Sequence, residues 1–100
     1  METQLKKGVL DLLVLAQLSV EDCYGYDLAE IISKEMEVSA GTLYLVLKRL
    51  KEEGWVNVYL RESSGGPARK YYHLSPLGAL QYELRKKEWQ EFVQKVEKLI

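Results

Sequence analysis

A single cysteine, Cys23, means that no internal disulfide can form and no cysteine-based metal cluster can be built, which points to a reduced cytosolic home. The one histidine, His73, has no carboxylate or thiol near it in sequence with which to make a general base or a metal site. Two prolines and seven glycines are too few for a disordered tract or a long linker. No stretch approaches the ~18 consecutive apolar residues of a membrane span. Met1–Lys7 leads into an amphipathic segment that contains Asp11, unlike the apolar centre of a signal peptide. A Ser-His-Asp grouping, a phosphate-cradling glycine loop and a paired-carboxylate signature are all missing. No catalytic residue, metal or cofactor is therefore expected.

An excess of charge is missing as well: 14 Lys and Arg stand against 15 Asp and Glu, a net charge of −1. The distribution is uneven. Residues 1–38 carry three Lys and eight Asp or Glu, whereas residues 39–74 carry Lys48, Arg49, Lys51, Arg61, Arg69 and Lys70 against Glu52, Glu53 and Glu62. A basic surface set on an acidic scaffold suits docking on DNA in one orientation rather than general coating of it. One hundred residues that are 47% hydrophobic make one small domain. A domain of that size buries only about two-thirds of its unfolded surface, so a partner subunit would add useful burial.

Periodicity divides the chain. Leu5, Val9, Leu12, Leu13, Leu15, Ala16 and Leu18 form a broad apolar face over residues 4–19, predicting a first helix buried on more than one side. Ser19–Cys23 reads as a loop. A second helix is expected over Tyr24–Glu35 with Leu28, Ala29, Ile31 and Ile32 inward, and Gly25 permitting close packing at its start. Ser39 is an N-cap for a third helix over Ala40–Glu53, which stops at Gly54. Leu43, Val46, Leu47 and Leu50 form its core stripe, and Leu45 falls near the exposed side. Trp55–Glu62 alternates Val56, Val58 and Leu60 against Asn57, Tyr59 and Arg61, the pattern of a half-buried strand. Ser63–Pro67 is a turn, and Ala68–Leu74 returns as a second strand. Ser75 and Pro76 then open a last helix over Pro76–Leu99, about 36 Å long.

A capped helix running directly into a basic hairpin is the arrangement of a winged helix-turn-helix. The expected fold is mostly α with a two-stranded β wing: a DNA-binding domain over residues 1–75, and a C-terminal dimerisation helix over residues 76–100 packed on the same domain. The last helix carries two apolar stripes. Leu77, Leu80, Leu84, Phe92 and Leu99 form one; Tyr82, Trp89, Val93, Val96 and Ile100 form the other, rotated by about a third of a turn. One stripe is expected to seat on its own domain. The second, assigned to Tyr82, Trp89, Val93, Val96 and Ile100, is expected to make a homodimer.

Asp11-Leu12-Leu13-Val14-Leu15, Tyr24-Gly25-Tyr26-Asp27-Leu28, Gly41-Thr42-Leu43-Tyr44, Lys48–Gly54 and Gly65-Gly66-Pro67-Ala68-Arg69-Lys70-Tyr71-Tyr72 occur here in that order. In this order and spacing they resemble PadR-type transcriptional regulators over about residues 5–80, the short tail being similar to the smaller branch of that family. Leu45 departs from the pattern, in which proline often follows Leu-Tyr, and this bears on the DNA contact at that point. The resemblance implies a cytoplasmic homodimeric repressor on a palindromic operator, with the third helix in the major groove of double-stranded DNA.

The chemistry of the residues agrees with that implication. Ser39, Thr42 and Tyr44 can donate to phosphates or read bases, Lys48 can neutralise a phosphate one turn on, and Arg69 and Lys70 follow the wing tip. Ser39 serves as a helix cap in any case. Tyr24, Tyr26, Tyr71 and Tyr72 are expected to pack rather than to stack on nucleic acid, and Cys23 to be a small buried residue. In drug-responsive relatives, aromatic residues of the last helix line an interfacial cavity, which implies that Trp89 and Phe92 bind a planar aromatic small molecule that releases the operator. Two other classes stay open. One is a winged helix that binds a protein, favoured by the overall acidity; the other is a small-molecule-binding dimer with weak DNA affinity.

Overall fold

The structure, a computed structural model, describes residues 3–100, with side chains from Gly8 onward. Its first helix, α1 (Thr3–Val20), is the hub: it touches each of the other helices and the sheet. Leu15 and Leu18 of α1 are buried as expected, joined by Leu10 and Val14, which the expected face left out; Val9, Leu12, Leu13 and Ala16 are half-buried, and Leu5 lies outside the described side chains. The helix runs on through Val20, and Cys23–Tyr24, expected to start in a loop and end in a helix, forms a short strand, β1.

Helix α2 (Gly25–Met36) buries Gly25, Leu28, Ala29 and Ile32. Ile31, expected inward, is exposed, because α2 packs on one side only and Ile31 falls at the edge of that face. Helix α3 (Ala40–Glu52) begins at Ser39, whose hydroxyl oxygen accepts from the Thr42 backbone N–H at 3.2 Å. Leu43, Val46, Leu47 and Leu50 of α3 are buried as one stripe. The helix ends before Gly54, which sits at a φ of 78°.

Strands β2 (Val56–Ser63) and β3 (Gly66–Leu74) form the antiparallel wing. The sheet has three strands rather than the two expected, in the order β1-β3-β2, because Cys23 and Tyr24 pair with Tyr72 and Tyr71. Pairing also extends to Ser63 and Gly66, so the turn is shorter than the sequence suggested. Val56 and Tyr72 reach the core, whereas Leu60, on the same alternation as Val56, is 69% exposed. The hairpin projects past the last core layer at that point, and nothing packs opposite Leu60.

Helix α4 (Pro76–Leu99) starts with a double tie. The Ser75 hydroxyl donates to the Gly54 carbonyl at 2.6 Å and accepts from the Gly78 N–H at 3.0 Å, joining the end of α3 to the start of α4. Gly78 lies against the Trp55 backbone, where a Cβ would meet the carbonyl oxygen at 1.9 Å. Farther along, Tyr82 packs on the core, and the Arg85 guanidinium lies 4.7 Å from the Trp55 ring centroid. Over this first half the two stripes change roles relative to expectation. Tyr82 faces its own domain, while Leu77, Leu80 and Leu84 are left uncovered.

Candidate nucleic-acid interface

Three segments converge on one cleft of about 270 Å³: the start of α2, Tyr44 on α3, and Ala68, Arg69 and Lys70 on β3. Gly25 makes this approach possible, since a Cβ there would stand 2.7 Å from the Tyr72 ring. Tyr72 forms the floor of the cleft. Burial pushes its phenol above the ordinary tyrosine range, and the neighbouring Tyr44 adds to the effect.

The candidate residues on α3 are all exposed. The hydroxyls of Ser39 and Thr42 lie 2.9 Å apart and share a hydrogen bond, so capping orients both while each keeps capacity for a further partner. Tyr44 and Lys48 are one turn apart on the outer side, with Leu45 beside them at 69% exposure. Arg49, counted among the basic residues of this segment, is turned the other way. It is hydrogen-bonded to the buried carboxylate of Asp11, which is the main reason its guanidinium pKa is raised.

Alternation sends Arg69 and Lys70 to opposite faces of the wing. Arg69 lies on the outer face, 4.9 Å from the Tyr24 ring centroid; Lys70 is on the other face, paired with Leu60. Tyr24 begins a feature that the sequence left unnoticed. Tyr26, Tyr24, Tyr71 and Tyr59 stack in a row, with successive centroids 6.0, 5.9 and 5.8 Å apart. Arg61 caps the row from the side, 5.0 Å from the Tyr71 centroid. Each such cation–π contact at an exposed site contributes about 0.5–1 kcal/mol. The period-two pattern carried the signal: residues 57, 59 and 61 share a face with 69, 71 and 73, and β1 supplies Tyr24 beside Tyr71.

Asp22 fastens this row to the helices. Its carboxylate accepts from the Tyr59 hydroxyl at 2.7 Å and lies 2.8 Å from His73 Nδ1. These two bonds, Tyr59 first, hold the Asp22 carboxyl below its ordinary range. His73, without partners in sequence, thus acquires one in space. Cys23 next door is half-buried; burial first, and then Glu21, Asp22 and Asp27, push its thiol upward, away from the reactive thiolate. Among the described residues no three His, Cys, Asp or Glu side chains come together as a metal site, and no helix is long and apolar enough to cross a membrane.

A second cleft, of about 290 Å³, lies between α1 and α4. Gly8, Val9 and Leu12 form one wall; Arg85, Glu88, Trp89 and Phe92 form the other. The Trp89 and Phe92 rings are tilted by 42° with centroids 6.1 Å apart. The remaining dimerisation candidates, Val93, Val96 and Ile100, lie farther along α4, with Val93 half-buried and Ile100 exposed.

Residues 14–84 match the sequence profile of the transcriptional regulator PadR-like family. The chain belongs to that family. PadR-like regulators bind DNA, and the helix and wing described above are the parts with which a winged helix does so. A PadR-like transcriptional regulator from Bacillus cereus strain ATCC 14579 has the same fold, with 37% identity, a TM-score of 0.86, and coverage of 97% of this chain and 96% of that one. A Streptococcus transcriptional regulator gives a TM-score of 0.88 at 34% identity, covering 98% of each chain. An uncharacterized protein X of Lysinibacillus sphaericus is 33% identical over 89 residues, 85% of this chain and 82% of that protein.

Proposed function

We propose that this PadR-like regulator is a cytoplasmic homodimeric repressor that occupies a palindromic operator. In this reading residues 1–75 are the DNA-binding domain and 76–100 the dimerisation helix. The observation that carries it is the shared cleft: Tyr44 of the recognition helix and Arg69 and Lys70 of the wing border one groove, so one duplex can touch both. Ser39, Thr42 and Tyr44 meet base edges and phosphates at the start of α3, and Lys48, Arg69 and Lys70 neutralise the backbone. Two copies place their recognition helices one duplex turn, about 34 Å, apart.

The uncovered row Leu77, Leu80, Leu84, Phe92 and Leu99 supports a dimer formed through α4, with Val93, Val96 and Ile100 joining beyond the point where α4 leaves its own domain. The α1–α4 cleft supports ligand control. It is close to the ~300 Å³ lower limit of small-molecule sites, and Trp89 and Phe92 offer aromatic faces to a planar compound. A ligand that prefers one dimer geometry shifts the equilibrium between half-site spacings by no more than its affinity difference between the two states.

The test is binding to a labelled duplex from upstream of the protein's own gene, read by anisotropy over a salt series with random-sequence competitor. Tight binding that resists competitor and weakens linearly in log salt supports the proposal. Equal, weak binding to both duplexes, together with a monomer in sedimentation, would remove it in favour of a protein-binding winged helix.

A further inference from the structure

Arg61 and Arg69 are register partners across β2 and β3. Two guanidiniums directly opposite each other on one sheet face repel, and a carboxylate between them is the ordinary remedy. None is in place. Glu62, at the irregularity of the ladder between Arg61 and Ser63, forms no ion pair with either arginine. The Asp22 oxygens are taken by Tyr59 and His73, so Asp22 acts on Arg61 only from a distance. Among the described residues, neither guanidinium forms an ion pair or a hydrogen bond.

Both arginines are nevertheless held. Arg61 rests on Tyr71 and Arg69 on Tyr24, and those rings are stacked with only 27° between their planes. The row is braced at each end, by Tyr26 on Tyr24 and by Tyr59, whose hydroxyl is bonded to Asp22. A guanidinium on a ring uses its flat face and leaves its N–H donors in the plane, free for an anion. Two like charges that are ordered, in register and without a direct ion pair leave their in-plane donors open to an oxyanion.

We propose that Arg61 and Arg69 form a phosphodiester clamp on the outer face of the wing, gripping one backbone phosphate of the operator between them. The proposal rests on the DNA-binding reading above and adds Arg61 to it as a DNA-contacting residue. Tyr24 and Tyr71 are positioning residues: they hold the clamp open before DNA arrives, so little side-chain freedom is lost on binding.

The experiment compares the full-length wild type with Arg61→Ala, Arg69→Ala and the double variant on the same duplex, across salt. Each single variant should lose about tenfold in affinity, equally for operator and random duplex. The log–log salt slope should fall by about 0.9 for each protomer engaged in the double variant, which frees the shared phosphate, and by less in either single variant. Because one phosphate is shared, the double variant should lose less than the product of the two single losses. Lys48→Ala, on a separate phosphate, should combine multiplicatively with Arg61→Ala. Tyr24→Phe should bind like wild type, while Tyr24→Leu should weaken binding only when Arg69 is present.

Wild-type affinity and slope in Arg61→Ala, with Lys48→Ala and Arg69→Ala both impaired, would overturn the clamp and leave the DNA reading standing. No duplex binding by the wild type would overturn both. A DNA-free measurement separates the sources of the anion. If inorganic phosphate at constant ionic strength raises the wild-type Tm but not that of Arg61→Ala, the site is an anion site. The same result with no effect of Arg61→Ala on duplex binding would assign it to a free anion and overturn the DNA clamp.

Discussion

The guanidinium of Arg49 on α3 is hydrogen-bonded to the carboxylate of Asp11 on α1, 38 residues earlier in the chain. Asp11 is buried, whereas the Arg49 side chain is 35% exposed. This pair fixes the recognition helix against the hub of the fold, and it removes one positive charge from the DNA-facing count. Arg49→Ala leaves a buried carboxylate without its partner. Breaking a fully buried pair costs about 3–5 kcal/mol; solvent screening of Arg49 lowers the expectation to about 2 kcal/mol. Urea unfolding checks the loss. Among molecules that remain folded, DNA affinity should be close to that of wild type, and a drop matching Lys48→Ala would show that Arg49 reaches the duplex.

Asp22 sets an acid limit on the wing. Its folded-state pKa is depressed by the Tyr59 hydroxyl and by His73, so its contribution is present above the unfolded carboxylate pKa of about 4 and is lost as pH falls through the lower folded value. Tyr59→Phe removes the larger of the two bonds. Its stability deficit relative to wild type should be constant near neutral pH and shrink as pH drops below about 4. Unfolding free energies from pH 3 to 6 measure this. A deficit that does not change with pH would mean that the phenol acts by packing alone.

Gly78 tolerates no side chain. Its Cβ would fall 1.9 Å from a backbone carbonyl of Trp55, which cannot rotate away as a side chain can. Gly78→Ala should cost about 3 kcal/mol through displacement of α4, seen as a lower urea midpoint and a change in the Trp55 near-ultraviolet signal. Ala79→Gly, at an exposed helical position one residue on, should cost no more than about 1 kcal/mol.

Leu80 and Leu84 lie one turn apart in the uncovered row of α4. Each is exposed in the single chain, so Leu80→Glu or Leu84→Glu should leave the monomer's fold unchanged and shift sedimentation from dimer to monomer. Operator affinity should fall with the dimer, because two half-sites are then no longer engaged together. A variant that stays dimeric would move the interface to another face.

Much of this fold could be read from short-range pattern. The caps at Ser39 and Ser75, the stripe Leu43–Leu50 and the turn at Gly65 each depend on residues within a few positions of one another, and each is where it was expected. What pattern missed depended on distant partners. Cys23–Tyr24 becomes a strand only because β3 offers it an edge, and two residues carry no period of their own. Ile31 and Leu60 fit the apolar alternation but lie where no second layer exists, which a one-dimensional pattern cannot register. At the candidate interface, Tyr44, Lys48 and Arg69 are visible as residue types in motif positions. The tyrosine row with Arg61 is not, since it is assembled across three strands and the start of α2.

The seat of α4 at Gly54, Trp55 and Ser75 lies at one end of a long helix that also packs on α1; the molecule measures 54 Å along its greatest extent but only 29 and 21 Å across. Such a shape is a lever with its fulcrum beside the recognition helix. At 1.5 Å per residue, a tilt of about 10° at the seat sweeps the far end through about 6 Å. Because α4 also packs on α1, a displacement of several ångströms imposed near Ile100 bears on the hub helix as well as on the seat beside the end of α3.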